Sequence, residues 1–466
     1  MNRIYVIFVS SVAAMGGLLF GYDTAVISGT VEPLRQHFAL DPLALGWVVG
    51  SALIGCVVGA ALAGKLTDGF GRRAVLWLSG LLFLISGIWC YLSPSVGQLV
   101  AARILGGLGV GVASLLVPVY IAELSPPESR GALVSINQVA ILVGMVLSYL
   151  VNAWIGRLGD GAWLTAAGWR VMLGAEAVPA LIFLVLSLRI PESPRWLLKR
   201  GSVERARAVL NLLHGEVAGL RELEEIREAI AHEQGTVSEL LDRGSRGTVV
   251  MAMVLALFQA ITGINIVMYY APTIFTSAGI GTGAALEHSV IIGLVMLVFT
   301  LGSMLLVDRV GRRPIMLFAA VGMGLSLTLL GIMFTAGAAN GRWLLLWILT
   351  YVSSFSIGMG GIYWVVVSEI FPTRVRGAAM SLSVVFLWGG NYLVSQFFPA
   401  MLAALNSRVF FVFALMCAAC FAFIWKFVPE TKGKTLEEIE RELFGPREGR
   451  AASGARAARR ATAGES

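Results

Sequence analysis

The sequence predicts an all-α membrane protein of twelve transmembrane helices, arranged as two six-helix bundles with a cytoplasmic helical linker. Three observations carry that prediction. Of 466 residues, 57% are hydrophobic and only 14% charged, and the mean hydropathy of +0.81 does not fit a water-covered surface. The apolar residues fall in long continuous runs, and a bilayer core about 30 Å thick takes roughly 20 of them per helix; a transmembrane barrel, built from short alternating strands, is excluded. An internal repeat divides the runs six and six.

The runs place helices near 5–28, 43–64, 74–92, 97–122, 131–154 and 169–188 in the first half. Those of the second half lie near 248–277, 286–307, 314–336, 343–368, 378–404 and 408–428. The first run lacks a small-residue cleavage site and is read as a retained helix, not a signal peptide. With the N-terminus in the cytoplasm, 29 of the 35 Lys and Arg fall on the cytoplasmic side, five fall outside (Arg35, Arg157, Arg170, Arg342, Arg408), and Arg103 lies within a span. That asymmetry sets the orientation, with both termini expected in the cytoplasm. The net charge of +7 is thus a topology signal and implies no nucleic-acid partner.

The chain divides into a bundle at 1–188, a linker at 189–247, a second bundle at 248–428 and a tail at 429–466. In the linker, Val203, Ala206, Leu210 and Leu213 share one face of an amphipathic helix, and Leu223, Ile226 and Ile230 one face of a second. The tail opens with a capping box, Thr435 and Glu438, and beyond about 445 its Ala, Gly, Arg and Ser composition predicts disorder.

Asp68-Gly69-Phe70-Gly71-Arg72-Arg73 recurs as Asp308-Arg309-Val310-Gly311-Arg312-Arg313. Glu123, Pro126, Arg130 and Gly131 recur as Glu369, Pro372, Arg376 and Gly377, and Pro191-Glu192 as Pro429-Glu430. The three offsets, 240, 246 and 238, are nearly equal, which gives two halves of the same orientation. Parallel halves of six helices are the plan of alternating-access transporters, whose ligand sits between the halves near the midplane. The repeated charges, Asp68, Arg72, Arg73, Glu123 and Arg130 with Asp308, Arg312, Arg313, Glu369 and Arg376, are expected to tie helices together on the cytoplasmic side and to gate conformation.

The four cysteines lie in apolar runs and behave as small hydrophobes. No metal cluster, cofactor motif or nucleophile motif stands out, so an enzyme is not expected. Gly106-Gly107-Leu108-Gly109-Val110-Gly111 looks like a nucleotide loop but lies inside a span, where close helix packing accounts for it. Ionisable groups within spans are costly and are functional candidates. Asp23, Arg103 and Glu176 qualify, all in the N-terminal half and placed to face one another. With both acids ionised the trio carries one negative charge, and one proton neutralises it, the minimum for a proton-coupling site; a permanently paired Asp–Arg strut is the alternative. Gln138, Gln259, Asn265, Tyr269 and Asn391 offer donors and acceptors within spans, and Trp364 a ring face. Together these suit a neutral polyhydroxylated ligand, with interhelical bonding as the structural alternative.

FGYDTAVISG at 20–29, PVYIAELSPPESRG at 118–131, PESPRWL at 191–197, GINIVMYYAP at 263–272, SEIFPTRVRG at 368–377 and PETKGKTLEEIE at 429–440 resemble motifs of the sugar porter family of the major facilitator superfamily. The resemblance covers about 15–440 and is strongest to bacterial proton-coupled members. It implies the major facilitator fold and places Asp23, Arg103 and Glu176 at the proton-coupling positions, where passive facilitators usually carry an amide for Asp23. It also implies sugar contacts at Gln138, Gln259, Asn265, Trp364 and Asn391. Four positions depart from the family: Ala260 for a glutamine, Met296 for an asparagine, Gly361 for a proline, and Leu387 where a proton-coupled member has a glutamine.

The expected function is a proton-coupled symporter that imports a monosaccharide, pentose or hexose, by alternating access, without cofactor or metal and as a monomer. A passive sugar facilitator and a proton-coupled inositol or polyol porter are the alternatives.

Overall fold

The computed structural model describes residues 3–126, 128–231, 246–337, 341–371, 376–434 and 438–439. Among these the secondary structure is helical throughout. Six long apolar helices, Arg3–Gly29, Pro42–Phe70, Arg72–Leu92, Val96–Leu124, Arg130–Gly156 and Gly161–Ser187, form the first half. The second half has Arg246–Ser277, Thr282–Val310, Arg312–Thr335 and Gly341–Glu369, then Arg376–Leu405 and Val409–Phe427. These last two make one helical run, whose 49 residues from Ala379 to Phe427 at about 1.5 Å each would reach far beyond a bilayer. A 3-10 turn at Asn406–Arg408, with Asn406 at φ 50°, divides the run into two crossings. The spans are numbered 1 to 12 in this order.

Span 2 extends past the expected end at 64 to Phe70, carrying Lys65 and Asp68 beyond the apolar zone until Gly71, at φ 96°, stops it. Gly311, at φ 107°, stops span 8 in the same way. Both glycines occupy backbone conformations that disfavour a side chain. Span 6 begins at Gly161, earlier than the expected 169, through a π-helical stretch at Leu164–Gly168. Asp41 caps span 2 by accepting the Ala44 N–H at 2.8 Å.

Between the halves lie short helices Pro194–Lys199, Val203–His214 and Glu216–Ala231. Ala206, Leu210 and Leu213 are wholly buried, whereas Val203, expected on the same face, is 41% exposed at the helix start. Leu223 is buried and Ile226 packs against the same cluster. Of the expected helix after Thr435 only Glu438 and Ile439 are described, both helical; the rest of the tail from 440 and the linker at 232–245 lie outside the described residues.

Within the N-terminal half, spans 2 and 4 cross at van der Waals backbone distance. A Cβ at Gly107 would lie 1.8 Å from the Ala52 carbonyl oxygen, and one at Gly55 would lie 2.1 Å from that of Ile104. The glycine run is therefore a packing surface. Besides contacts within the spans, such as the Tyr149 hydroxyl donating to the Met268 carbonyl at 3.1 Å, the halves are tied at the face opposite the linker. There Gly46 of span 2 meets the Gln396 backbone of span 11, and Gln396 Nε2 donates to the Leu43 carbonyl at 3.0 Å. Gly156 of span 5 meets Leu286 of span 8, with Arg157 and Glu287 paired at 2.6 Å. The molecule is closed on that face.

Candidate functional site

Asp23 and Arg103 are brought together by tight crossings around span 1. A Cβ on Gly21 would sit 1.9 Å from the Ile141 oxygen of span 5. One on Gly106 would lie 2.6 Å from Ser86 Oγ and 3.5 Å from Asp23 Oδ1. Both charged residues are 2% exposed, and Arg103 Nη1 donates to Asp23 Oδ1 at 2.7 Å. Two fully formed charges inside an apolar bundle require such a partner. Glu176, also 2% exposed, lies at a break in span 6 between Trp169–Gly174 and Ala177–Ser187. Pro179 lacks the N–H that would continue the ladder there. Its carboxyl faces both Asp23 and Arg103, while its Oε1 and Arg103 Nε are buried without a hydrogen-bond partner. All three expected residues therefore meet in one cluster.

Span 7 is interrupted at Gly263, whose φ is 100°, and Tyr351 donates its hydroxyl to the freed Thr262 carbonyl at 3.0 Å. Gln259 lies just before the break, Asn265 and Tyr269 just after it. A Cβ on Gly390 would lie 3.0 Å from Ala260 Cβ, so span 11 packs against span 7 at the residue before Asn391. Asn265 and Asn391 are each 5% exposed, and Asn265 Nδ2 and Asn391 Oδ1 lack partners. Gln138 and Gln259 are half-buried, as is Trp364, which meets Tyr363 edge-on at 5.0 Å. The span 1–span 5 contact is made by the preceding residue, Asn137, whose Oδ1 would lie 2.2 Å from a Cβ on Gly17.

One residue of this region escaped the sequence reading. Trp388 is 5% exposed with its Nε1 unpartnered, and its ring meets Phe20 of span 1 across the interface of the halves at 5.5 Å. The available signal was an indole N–H in mid-span one turn before Asn391, since a buried Trp usually finds a partner. Of the family departures, Ala260, Met296 and Leu387 are buried and apolar, and around Gly361 a Cβ would meet open space.

The repeated charges form two matching clusters at the linker face. Arg72 reaches Asp68 at 3.2 Å and Glu123 at 3.1 Å; Arg312 reaches Asp308 at 3.2 Å and Glu369 at 2.8 Å. Arg73 donates to the Leu188 carbonyl at 2.7 Å, and Arg313 to that of Trp425, so each covers the carbonyl end of the last span of its half. Arg130 stands apart from the Arg72–Glu123 cluster and faces Glu222 of the linker at 3.8 Å. The side chain of Arg376 lies outside the described residues. Glu192 and Glu430, seen in the sequence only as part of the repeat, cap spans 3 and 9. Glu192 accepts the Arg72 N–H at 2.8 Å, and Glu430 accepts the Arg312 and Arg313 N–H groups at 3.0 and 3.1 Å. A carboxylate at a helix N-terminus satisfies free donors and the helix dipole together.

Two equivalent six-helix halves, closed on one face around buried charges and unpartnered amides, define a secondary transporter. Residues 9–443 match the family described as sugar (and other) transporter, and the chain belongs to that family. It is 43% identical to the D-xylose-proton symporter of Escherichia coli (strain K12), covering 94% of this chain and 96% of that protein. It is 40% identical to the arabinose-proton symporter of Bacillus subtilis (strain 168), covering 94% and 95%. Among solved structures, the inward-open conformation of the xylose transporter XylE from E. coli matches with a TM-score of 0.85 and 41% identity, covering 94% of this chain and all of that one.

Proposed function

We propose that the protein is a proton-coupled importer of a monosaccharide, pentose or hexose, in a bacterial inner membrane, working by alternating access as a monomer. The observation that carries this reading is the buried Asp23–Arg103–Glu176 cluster, in a bundle whose Asn265 Nδ2 and Asn391 Oδ1 are buried without a hydrogen-bond partner among the described residues. The proposed sugar contacts are Gln138, Gln259, Asn265, Tyr269, Trp364 and Asn391, with Trp388 added from the structure. The names of the two relatives, both proton symporters of pentoses, support the same substrate class. The excess of Lys and Arg at the linker face supports its assignment to the cytoplasm, and the closure of the opposite face then makes this the inward-facing state.

In this scheme the cluster holds two carboxyls and one guanidinium, so a proton arriving from outside brings its net charge from −1 to zero. Protonation of Asp23 removes the charge that holds Arg103 Nη1 and weakens the pairing. Sugar bound between the amides of spans 7 and 11 and the first half draws the halves together. Release of sugar and proton on the linker side restores the ion pair and completes the cycle. The charge clusters around Arg72 and Arg312 act as gates, because their ties at the cytoplasmic ends are remade as the halves rock.

The test is uptake of labelled pentoses, hexoses and inositols into proteoliposomes with and without an inward proton gradient. Gradient-driven accumulation of a pentose or hexose is expected. Simple equilibration that the gradient leaves unchanged would replace the symporter with a facilitator, and accumulation of inositol alone would move the substrate class.

A further inference from the structure

His214 ends the linker helix Val203–His214 and is 6% exposed. Both of its ring nitrogens face acceptors: Nδ1 meets the Glu222 carboxylate of the next helix, and Nε2 lies 3.1 Å from the Leu124 carbonyl. Leu124 is the last residue of span 4, so its carbonyl is one of the unsatisfied groups at the negative end of that helix. A neutral imidazole donates through one nitrogen only, whereas an imidazolium donates through both. Neutral His214 therefore leaves either a carboxylate or a helix-end carbonyl buried against a lone pair. The arrangement is complete only with the ring protonated.

We propose that His214 is a pH-sensitive latch that fastens the linker to the cytoplasmic end of span 4 when the cytoplasm is acidic and loosens it when the cytoplasm is alkaline. The proposal goes beyond the transport reading and uses only that reading's assignment of the linker to the cytoplasm. It concerns neither the sugar site nor the Asp23 cluster.

The groups around the ring set the direction. Burial alone lowers a histidine's pKa; the hydrogen bond and charge of Glu222, helped by the Leu124 carbonyl, outweigh burial and the Arg130 guanidinium, and the net shift is upward from 6.5. Arg130, at the start of span 5, stands 3.8 Å from Glu222 and shares that carboxylate with the ring. Glu123, the neighbour of Leu124 on span 4, is held by Arg72 and Ser193. Span 1 and the helix Pro194–Lys199 also border this region, and their nearby ionisable side chains are Arg3, Tyr5, Arg195 and Lys199. With a raised pKa in the docked state, the latch is fully made below 6.5 and is lost as pH rises through the elevated value.

The test is hydrogen exchange of peptides within 203–231, measured on the full-length protein in nanodiscs across pH and corrected for intrinsic exchange. In the unsubstituted protein the opening constant is expected to rise with pH, by up to about tenfold per unit between the undocked and docked pKa values. His214→Gln is expected to flatten that dependence, and Glu222→Gln to move its midpoint down. Exchange in these peptides that is independent of pH, or a slope that survives His214→Gln, would overturn the proposal. No sugar is needed, so failure of the transport reading leaves this result intact.

Discussion

Asp23 and Glu192 show how differently single carboxylates serve this chain. Asp23 is placed by glycines, which allow spans 4 and 5 to approach span 1 closely enough to shut out water; its partner Arg103 then becomes obligatory. Glu192 works at the rim, accepting backbone N–H groups from Arg72, Arg73 and Ser193. Replacing it by Ala leaves partly buried donors without an acceptor, at a cost of about 1–3 kcal/mol. Thermal unfolding in detergent is expected to show a lower Tm for Glu192→Ala, with Glu192→Gln intermediate. An unchanged Tm for Glu192→Ala would mean that water caps span 3 equally well. The charged trio was legible in the sequence because ionisable residues in apolar runs are rare. Trp388 was not, because a tryptophan in such a run looks like any other apolar residue until its N–H is seen to lack a partner.

At the scale of the helices, breaks and crossings were legible to different degrees. The GRR turns were visible as a repeat, and the structure adds why each half needs a glycine there: Gly71 and Gly311 hold positive φ directly over Glu192 and Glu430. The early start of span 6 was not legible, since a π-helical turn leaves no periodic signature in an apolar run. The same holds for helix faces: in spans apolar on every side, periodicity does not say which amides point inward. The crossing of spans 2 and 4 makes a sharp prediction. Gly107→Ala puts a methyl 1.8 Å from a backbone oxygen, and such overpacking costs about 1–3 kcal/mol or more. Gly361→Ala, with open space around it, is expected to change stability by no more than about 0.5 kcal/mol. Equal effects of the two substitutions in the same unfolding assay would contradict the packing account.

For the whole molecule, the position of the halves is set by small contacts at the rim opposite the linker. Gly46, Gly156 and Gly293 let the halves meet there, and the Arg157–Glu287 pair joins them at 2.6 Å. That pair is half-exposed or more on both sides, so it is worth only about 0–1 kcal/mol. Two states of a transporter differ by little, however, and up to about a fivefold change in their ratio is expected from Glu287→Gln. Spin labels at Ala44 and Ala404 are predicted to show a larger population open on the face opposite the linker for Glu287→Gln at low salt, with the difference fading at high salt as screening removes the pair. A distance distribution identical to that of the parent would assign the seal to packing alone.

The claim on which the rest depends is that Asp23 carries the coupled proton. The direct measurement compares the parent with Asp23→Asn in proteoliposomes, for both gradient-driven accumulation and gradient-free counterflow of the same sugar. An amide keeps the size of the side chain and removes its charge change. Accumulation in Asp23→Asn is predicted to fall to the level of equilibration while counterflow continues, as expected when binding and rocking survive but the proton no longer matters. Accumulation that persists in Asp23→Asn would contradict the account and reduce the Asp23–Arg103 pair to a strut.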